Sequence, residues 1–151
     1  MISETLLLLS TWSLRIFLGA QIAEGCLIVP YWKKLSPEEF FDFFSTNGYK
    51  LKKFYAPLTI IATLSTLCVV AFFIFKRSEE LLIVLVMGSS TLCFFSTYFV
   101  FFKNANESFS EKSISHKDLA SELRRWGNWH WTRVAFESIA FVLSLVLLLK
   151  S

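Results

Sequence analysis

Apolar positions in this chain gather into four runs, each long enough to cross a hydrocarbon layer of about 30 Å, which takes about 20 helical residues. The runs are 6–29, 55–75, 81–102 and 128–149. The second and third hold no charged residue at all. None shows the period-two segments of about ten residues that build a membrane β-barrel. Helices, by contrast, satisfy every backbone group within the segment, which lipid demands. The pattern predicts an all-α fold, an integral membrane four-helix bundle in which residues 1–151 form a single transmembrane domain.

Polar segments between the runs predict how the helices connect. Lys76 to Glu80, KRSEE, is too short for anything but an antiparallel hairpin. The connection 31–54 is longer and carries its own helix signals: Ser36 as a cap, Pro37 at the first helical position, then Glu38 and Glu39 facing the positive end of the dipole. Phe40, Phe41, Phe43 and Phe44 make this segment partly apolar. It is expected to be an additional interfacial helix between spans one and two, ended by Asn47-Gly48. The connection 103–127 opens with polar NANESFSEKS and turns helical again around SHKDLASELRRW.

Composition agrees with the pattern, since 54% of the 151 residues are apolar and only 18% are charged. The amino-terminal MISETLLLLSTW has no basic residue ahead of its apolar run and no small-residue cleavage signature after it. It is read as a retained first span. Cys26, Cys68 and Cys93 fall within spans without metal-ligand or CxxC spacing and are expected to be small buried hydrophobes. Charge adds orientation. The two long connections hold Lys33, Lys34, Lys50, Lys52, Lys53, Lys103, Lys112, Lys117, Arg124 and Arg125, whereas the opposite side holds Lys76, Arg77 and Lys150. The excess of basic residues predicts that the long connections are cytoplasmic and that both termini lie outside. Tyr31, Trp32, Tyr55, Trp126, Trp129 and Trp131 mark the interface on the basic side.

The fourth run enters the membrane with polar residues attached. On a helix turning about 100° per residue, Trp126, His130, Arg133, Glu137 and Ser144 share one narrow sector. Ionisable groups in a span face the bundle interior, so the sector needs an inner partner. The first run supplies Arg15, Gln21 and Glu24. Counted from the basic end, Glu24 lies roughly 8 Å deep and Arg133 roughly 9 Å, while Arg15 lies roughly 20 Å deep and Glu137 roughly 15 Å. Two intramembrane ion pairs are expected, Glu24 with Arg133 and Arg15 with Glu137. His130 lies shallower, near the tryptophans.

These residue types fit binding and proton transfer better than metal chemistry. Three or four converging ligands are needed for a metal, and the spans offer one histidine with Arg133 beside it to repel a cation. No metal and no other cofactor is expected. Arg133 favours an anion or a developing oxyanion, and Glu24, Gln21 and Trp126 are candidate binding residues.

The order of features resembles the anthrone oxygenase-like family of small four-helix membrane proteins. The resemblance covers nearly the whole chain: GAQIAEG ending in VPYWKKLSPEEF, a second span opening with Pro57, the exit KNANES from the third, and ELRRWGNWHWTR opening the fourth. Trp126, His130 and Arg133 are its most specific part. Family members often carry an asparagine preceded by proline at the exit from the third span, and either Asn104 or Asn106 stands at that place here. The resemblance implies oxidation of a polycyclic phenolic anthrone to the quinone without a bound redox cofactor, with His130 as the base and Arg133 as the oxyanion partner, the candidate catalytic residues, and with these asparagines among the substrate-binding residues. The expected partners are membrane lipid and a hydrophobic small molecule, with self-association open and no nucleic acid. From a different class comes a second expectation, a non-catalytic membrane subunit whose polar stripe packs against another transmembrane chain. A transporter would call for an inverted repeat, which the chain lacks.

Overall fold

The computed structural model describes residues 2–150, and nearly all of them belong to four long helices. These are α1, Ile2–Trp32; α2, Pro37–Phe75; α3, Leu81–Ser110; and α4, His116–Lys150. Each is long and apolar enough to cross a membrane, and no strand occurs among the described residues. The chain is a multi-pass membrane protein built as a four-helix bundle. α1 packs against α2 and α4, and α3 packs against the same two, so the helices form a ring in chain order.

Small hydroxyl residues set the register of the antiparallel pair α1 and α2. Ser10 Oγ and Thr66 Oγ1 lie 3.1 Å apart, Ser13 Oγ and Ser65 Oγ 2.7 Å, and the Tyr55 hydroxyl donates to the Ala20 carbonyl at 3.3 Å. Interhelical hydrogen bonds of this kind hold helices together where lipid removes the usual hydrophobic drive. At the start of α2 the Ser36 side chain accepts from the Glu39 amide and the Glu39 carboxylate accepts from the Ser36 amide at 2.8 Å, a complete capping box. That second bond holds the Glu39 carboxyl below its ordinary value. α2 and α3 each end in a Schellman motif. Arg77 and Lys112 take the left-handed conformation, with φ of 50° and 54°, and the amides of Ser78 and Ser113 reach back to Phe73 and Ser108.

Two expectations about the connections need correction. The segment opening at Ser36 is helical as expected, but it does not end at Asn47-Gly48; it runs into the second span as one helix of 39 residues. Asn47 turns its side-chain amide onto the Phe43 carbonyl one turn back, and Gly48 packs against the Phe44 ring, so neither breaks the helix. The connection 103–127 is likewise helical except for a short turn at 111–115.

Helices of 39 and 35 residues are about 58 and 52 Å long, far more than a bilayer of about 30 Å requires. Because the Lys76–Glu80 turn closes one end tightly, the surplus projects from the other. The core is correspondingly divided. One cluster, including Leu14, Phe17, Val69, Met87 and Ala140, lies within the spans. A second, aromatic cluster including Trp32, Phe40, Phe44, Phe102, Phe109 and Trp126 fills the projecting end. Glu24, His130 and Arg133 sit where the two clusters meet.

The cysteines are a further correction. All three are free thiols on the outer surface. In a lipid-facing protein the exterior is as apolar as the core, so hydrophobicity alone does not send a residue inward.

Candidate functional site

Two local departures from α-helical geometry shape the site. α1 widens into a π-helical turn at Glu24–Ile28, and α3 does so at Tyr98–Phe102. Pro30 accounts for the first, because it lacks an amide and its ring crowds the carbonyl one turn back, and a wider turn relieves both. Nothing in the sequence accounts for the second. π-Turns re-aim side chains, and Glu24 opens the first one facing α4.

The Glu24 carboxylate, 4% exposed, accepts a hydrogen bond from Arg133 Nη2 at 3.0 Å through Oε2. No described residue donates to Oε1. The guanidinium carbon of Arg133 also stands 4.4 Å from the centre of the Phe102 ring and 5.9 Å from that of Trp126. A desolvated cation over aromatic faces gains more than an exposed one. The structure thus brings Glu24 and Arg133 together, at matched depth on adjacent helices.

His130 is placed differently from what the sequence suggested. It is fully buried, stacked on Trp126 at 5.3 Å and 11°, and its Nε2 lies 2.9 Å from the Gln21 carbonyl. A carbonyl can only accept, so Nε2 carries a hydrogen. Nδ1 stands 3.6 Å from Glu24 Oε2 and has no hydrogen-bond partner among the described residues. Gly25 makes this approach possible. A Cβ there would come within 2.8 Å of His130 Nε2 and 2.9 Å of Trp131 Cζ2.

In front of this cluster lies a cleft of about 350 Å³ between the helices. Glu24, Arg133, Trp126, Trp32, Asn106, Tyr55 and Tyr98 line it, with Lys52 and Lys103 also on its walls. Trp126 Nε1 donates to Asn106 Oδ1 at 3.0 Å, which ties α3 to α4 across the cleft. Two buried donors on these walls have no acceptor among the described residues, Trp32 Nε1–H and Arg133 Nε–H. Buried donors are almost always paired, so these two mark a place where an acceptor belongs.

Of the residues singled out in the sequence, Glu24, Trp126, Arg133 and Asn106 meet at the cleft, while Gln21 and His130 stand behind its wall. Asn104 is exposed beside a different groove, with Ser108 and Arg125. Sequence reasoning missed Trp32 as a wall residue and Tyr55 as a neighbour of the pair. Trp32 was visible only as an interfacial marker.

The expected pair of Arg15 with Glu137 does not form. Glu137 is 2% exposed, and among the described residues neither of its carboxyl oxygens has a hydrogen-bond partner; it shares a small cavity with Leu14, Phe17, Ala62, Thr63, Thr91, Phe94 and Ala140. Arg15 is exposed on the outer surface of α1, with its guanidinium 5.3 Å from the Trp12 ring. Arg15 and Glu24 are nine positions apart, which at about 100° per residue puts them on opposite faces of one helix. The polar stripe of α4 is turned inward as a whole, with Trp126, His130, Glu137 and Ser144 all buried.

No three His, Cys, Asp or Glu side chains converge into a metal-ligand set among the described residues. No family model matches the chain, and no curated protein or solved structure matches it either.

Proposed function

We propose that the cleft binds a flat phenolic molecule and that Glu24 and Arg133 promote its oxidation by dioxygen. The observation that carries this reading is one wall on which a buried carboxylate and a guanidinium with an unpaired Nε–H stand together beside Trp32 and Trp126. The aromatic residues give the wall an apolar lining that suits a planar ring system. Unpaired donors suit a carbonyl or phenolic oxygen.

The resemblance read in the sequence points to the same chemistry, with one change of role. Glu24, on the cleft wall, takes the place of His130 as proton acceptor, and His130, held by its bond to the Gln21 carbonyl, packs behind it. A methylene C–H of the anthrone loses its proton to Glu24, and Arg133 holds the resulting enolate oxygen. Dioxygen accepts the electrons. One of its oxygen atoms becomes the new ketone oxygen and the other leaves as water with the two hydrogens of the methylene, so no further oxidant is required. The excess of basic residues on the projecting end supports a cytoplasmic cleft with both termini outside.

Oxygen uptake by the purified protein with a hydroxylated anthrone tests this. We expect one dioxygen consumed per quinone formed, and a rate lowered roughly 10²- to 10⁴-fold by Glu24→Gln with substrate binding retained. Uptake no faster than in protein-free detergent, or a Glu24→Gln rate equal to the parent's, would overturn the proposal.

A further inference from the structure

Arg15 is the ionisable residue of the spans that the bundle does not use. The register of α1 on α2 fixes its depth. Ser10 faces Thr66 and Ser13 faces Ser65, and Thr66 lies ten positions, about 15 Å, before the Lys76 turn. That level is half of a hydrocarbon layer of about 30 Å, and the Arg15 backbone lies five positions, about 8 Å, farther along α1 toward the basic end. Side chains on a helix lean toward its amino terminus, and the Arg15 guanidinium does so, resting over Trp12 at 5.3 Å. The charge is therefore drawn toward the bilayer centre rather than toward a headgroup layer. Among the described residues no carboxylate lies within 4 Å of it, and Trp12 itself is 56% exposed.

A guanidinium at this depth on a lipid-facing surface calls for an anionic partner. The chain has none to offer from a second copy. Glu24 is held by Arg133, Glu137 is enclosed in the bundle, and the remaining acidic residues lie outside the apolar runs. Two copies meeting on this face in parallel would set Arg15 against Arg15. The same face is shaped for close packing: Gly19 and Ala23 follow Arg15 at intervals of four and are exposed, and a Cβ at Gly19 would meet nothing within 4 Å.

We propose that the outward face of α1 around Arg15 docks a transmembrane helix of another protein, one that carries an Asp or Glu carboxylate near the bilayer centre. The pair formed there is shielded from water and compensates both charges. This assignment is independent of the chemistry proposed for the cleft, since Arg15 and Glu24 lie on opposite faces of α1.

The test uses the full-length protein, labelled at Cys68 in a Cys26→Ser/Cys93→Ser background, in phosphatidylcholine vesicles. Three labelled leucine-rich transmembrane peptides serve as probes, identical except for a central Glu, Gln or Leu. Energy transfer is expected to show the Glu peptide associating at least tenfold more tightly than the Leu peptide. Arg15→Leu should abolish that preference and Arg15→Lys should retain it. Equal association of the Glu and Leu peptides with the parent overturns the proposal, as does a Glu preference that survives Arg15→Leu. Repeating the measurement with phosphatidylglycerol and a spin-labelled analogue of it separates a lipid partner. Arg15-dependent enrichment of that lipid, with no preference for the Glu peptide, would make a lipid phosphate the counter-ion and overturn the docking assignment.

Discussion

Glu24 and Arg133, 109 positions apart in the chain, meet at 3.0 Å where the aromatic end of the bundle joins its membrane core. Their bond links the first helix to the last. Removing one partner leaves the other buried without compensation, which costs about 3–5 kcal/mol, whereas replacing both with apolar groups of similar size is close to neutral. Arg133→Met and Glu24→Met are each expected to lower stability in detergent by that amount, and the double variant to recover most of it. A thermal-unfolding double-mutant cycle with no coupling between the positions would contradict the pairing.

Gly25→Ala is expected to destabilise the protein by about 1–3 kcal/mol, because the added methyl must displace the His130 ring or the Trp131 ring. Gly19→Ala is the control, since its methyl enters open space. Unfolding midpoints that fall equally for the two variants would show that the α1–α4 approach at Gly25 is not close.

These two positions also show what was legible in the sequence. The four spans followed from apolar runs alone, and counting residues from the basic end matched Glu24 to Arg133. Depth says nothing about direction, however, and Arg15 was matched to Glu137 by depth only. The 180° separation of Arg15 from Glu24 on one helix was available and outweighs the depth match once Glu24 is known to face inward. Asn47-Gly48 read as a helix end because turn residues signal local preference. Packing on the aromatic cluster overrode it, with the Gly48 backbone against the Phe44 ring. The place of His130 behind Glu24 depends on a π-turn whose sequence trace, Pro30, does not specify which side chains the turn re-aims.

Glu137 shares a small cavity with apolar groups and two threonines, and among the described residues both of its carboxyl oxygens are unpaired. Glu137→Leu removes an unsatisfied polar group and fills the same space. It is expected to raise stability by about 1–3 kcal/mol. Chemical or thermal unfolding that shows a loss of similar size would reveal a hydrogen-bond partner for this carboxyl.

The capping box gives the start of α2 a dependence on pH. Glu39 accepts from the Ser36 amide, and this bond holds its carboxyl below the ordinary 4.5. A depressed folded value means that its contribution is complete above the ordinary value and is lost as pH falls through the lowered one. After correction for intrinsic exchange rates, amides 37–40 are expected to lose hydrogen-exchange protection on acidification below about pH 4.5, and Glu39→Gln to flatten that change. Protection that rises on acidification would reverse the sign of this account.

The direct test of the cleft is a binding titration that follows quenching of the protein's own tryptophans, two of which line the wall. With a hydroxylated anthrone the parent is expected to show saturable quenching. Trp32→Phe, which keeps an aromatic side chain but removes the unpaired N–H together with part of the indole, should weaken binding roughly three- to tenfold. Quenching that never saturates in the parent, or equal affinity in parent and Trp32→Phe, would contradict a cleft built to receive an oxygen acceptor.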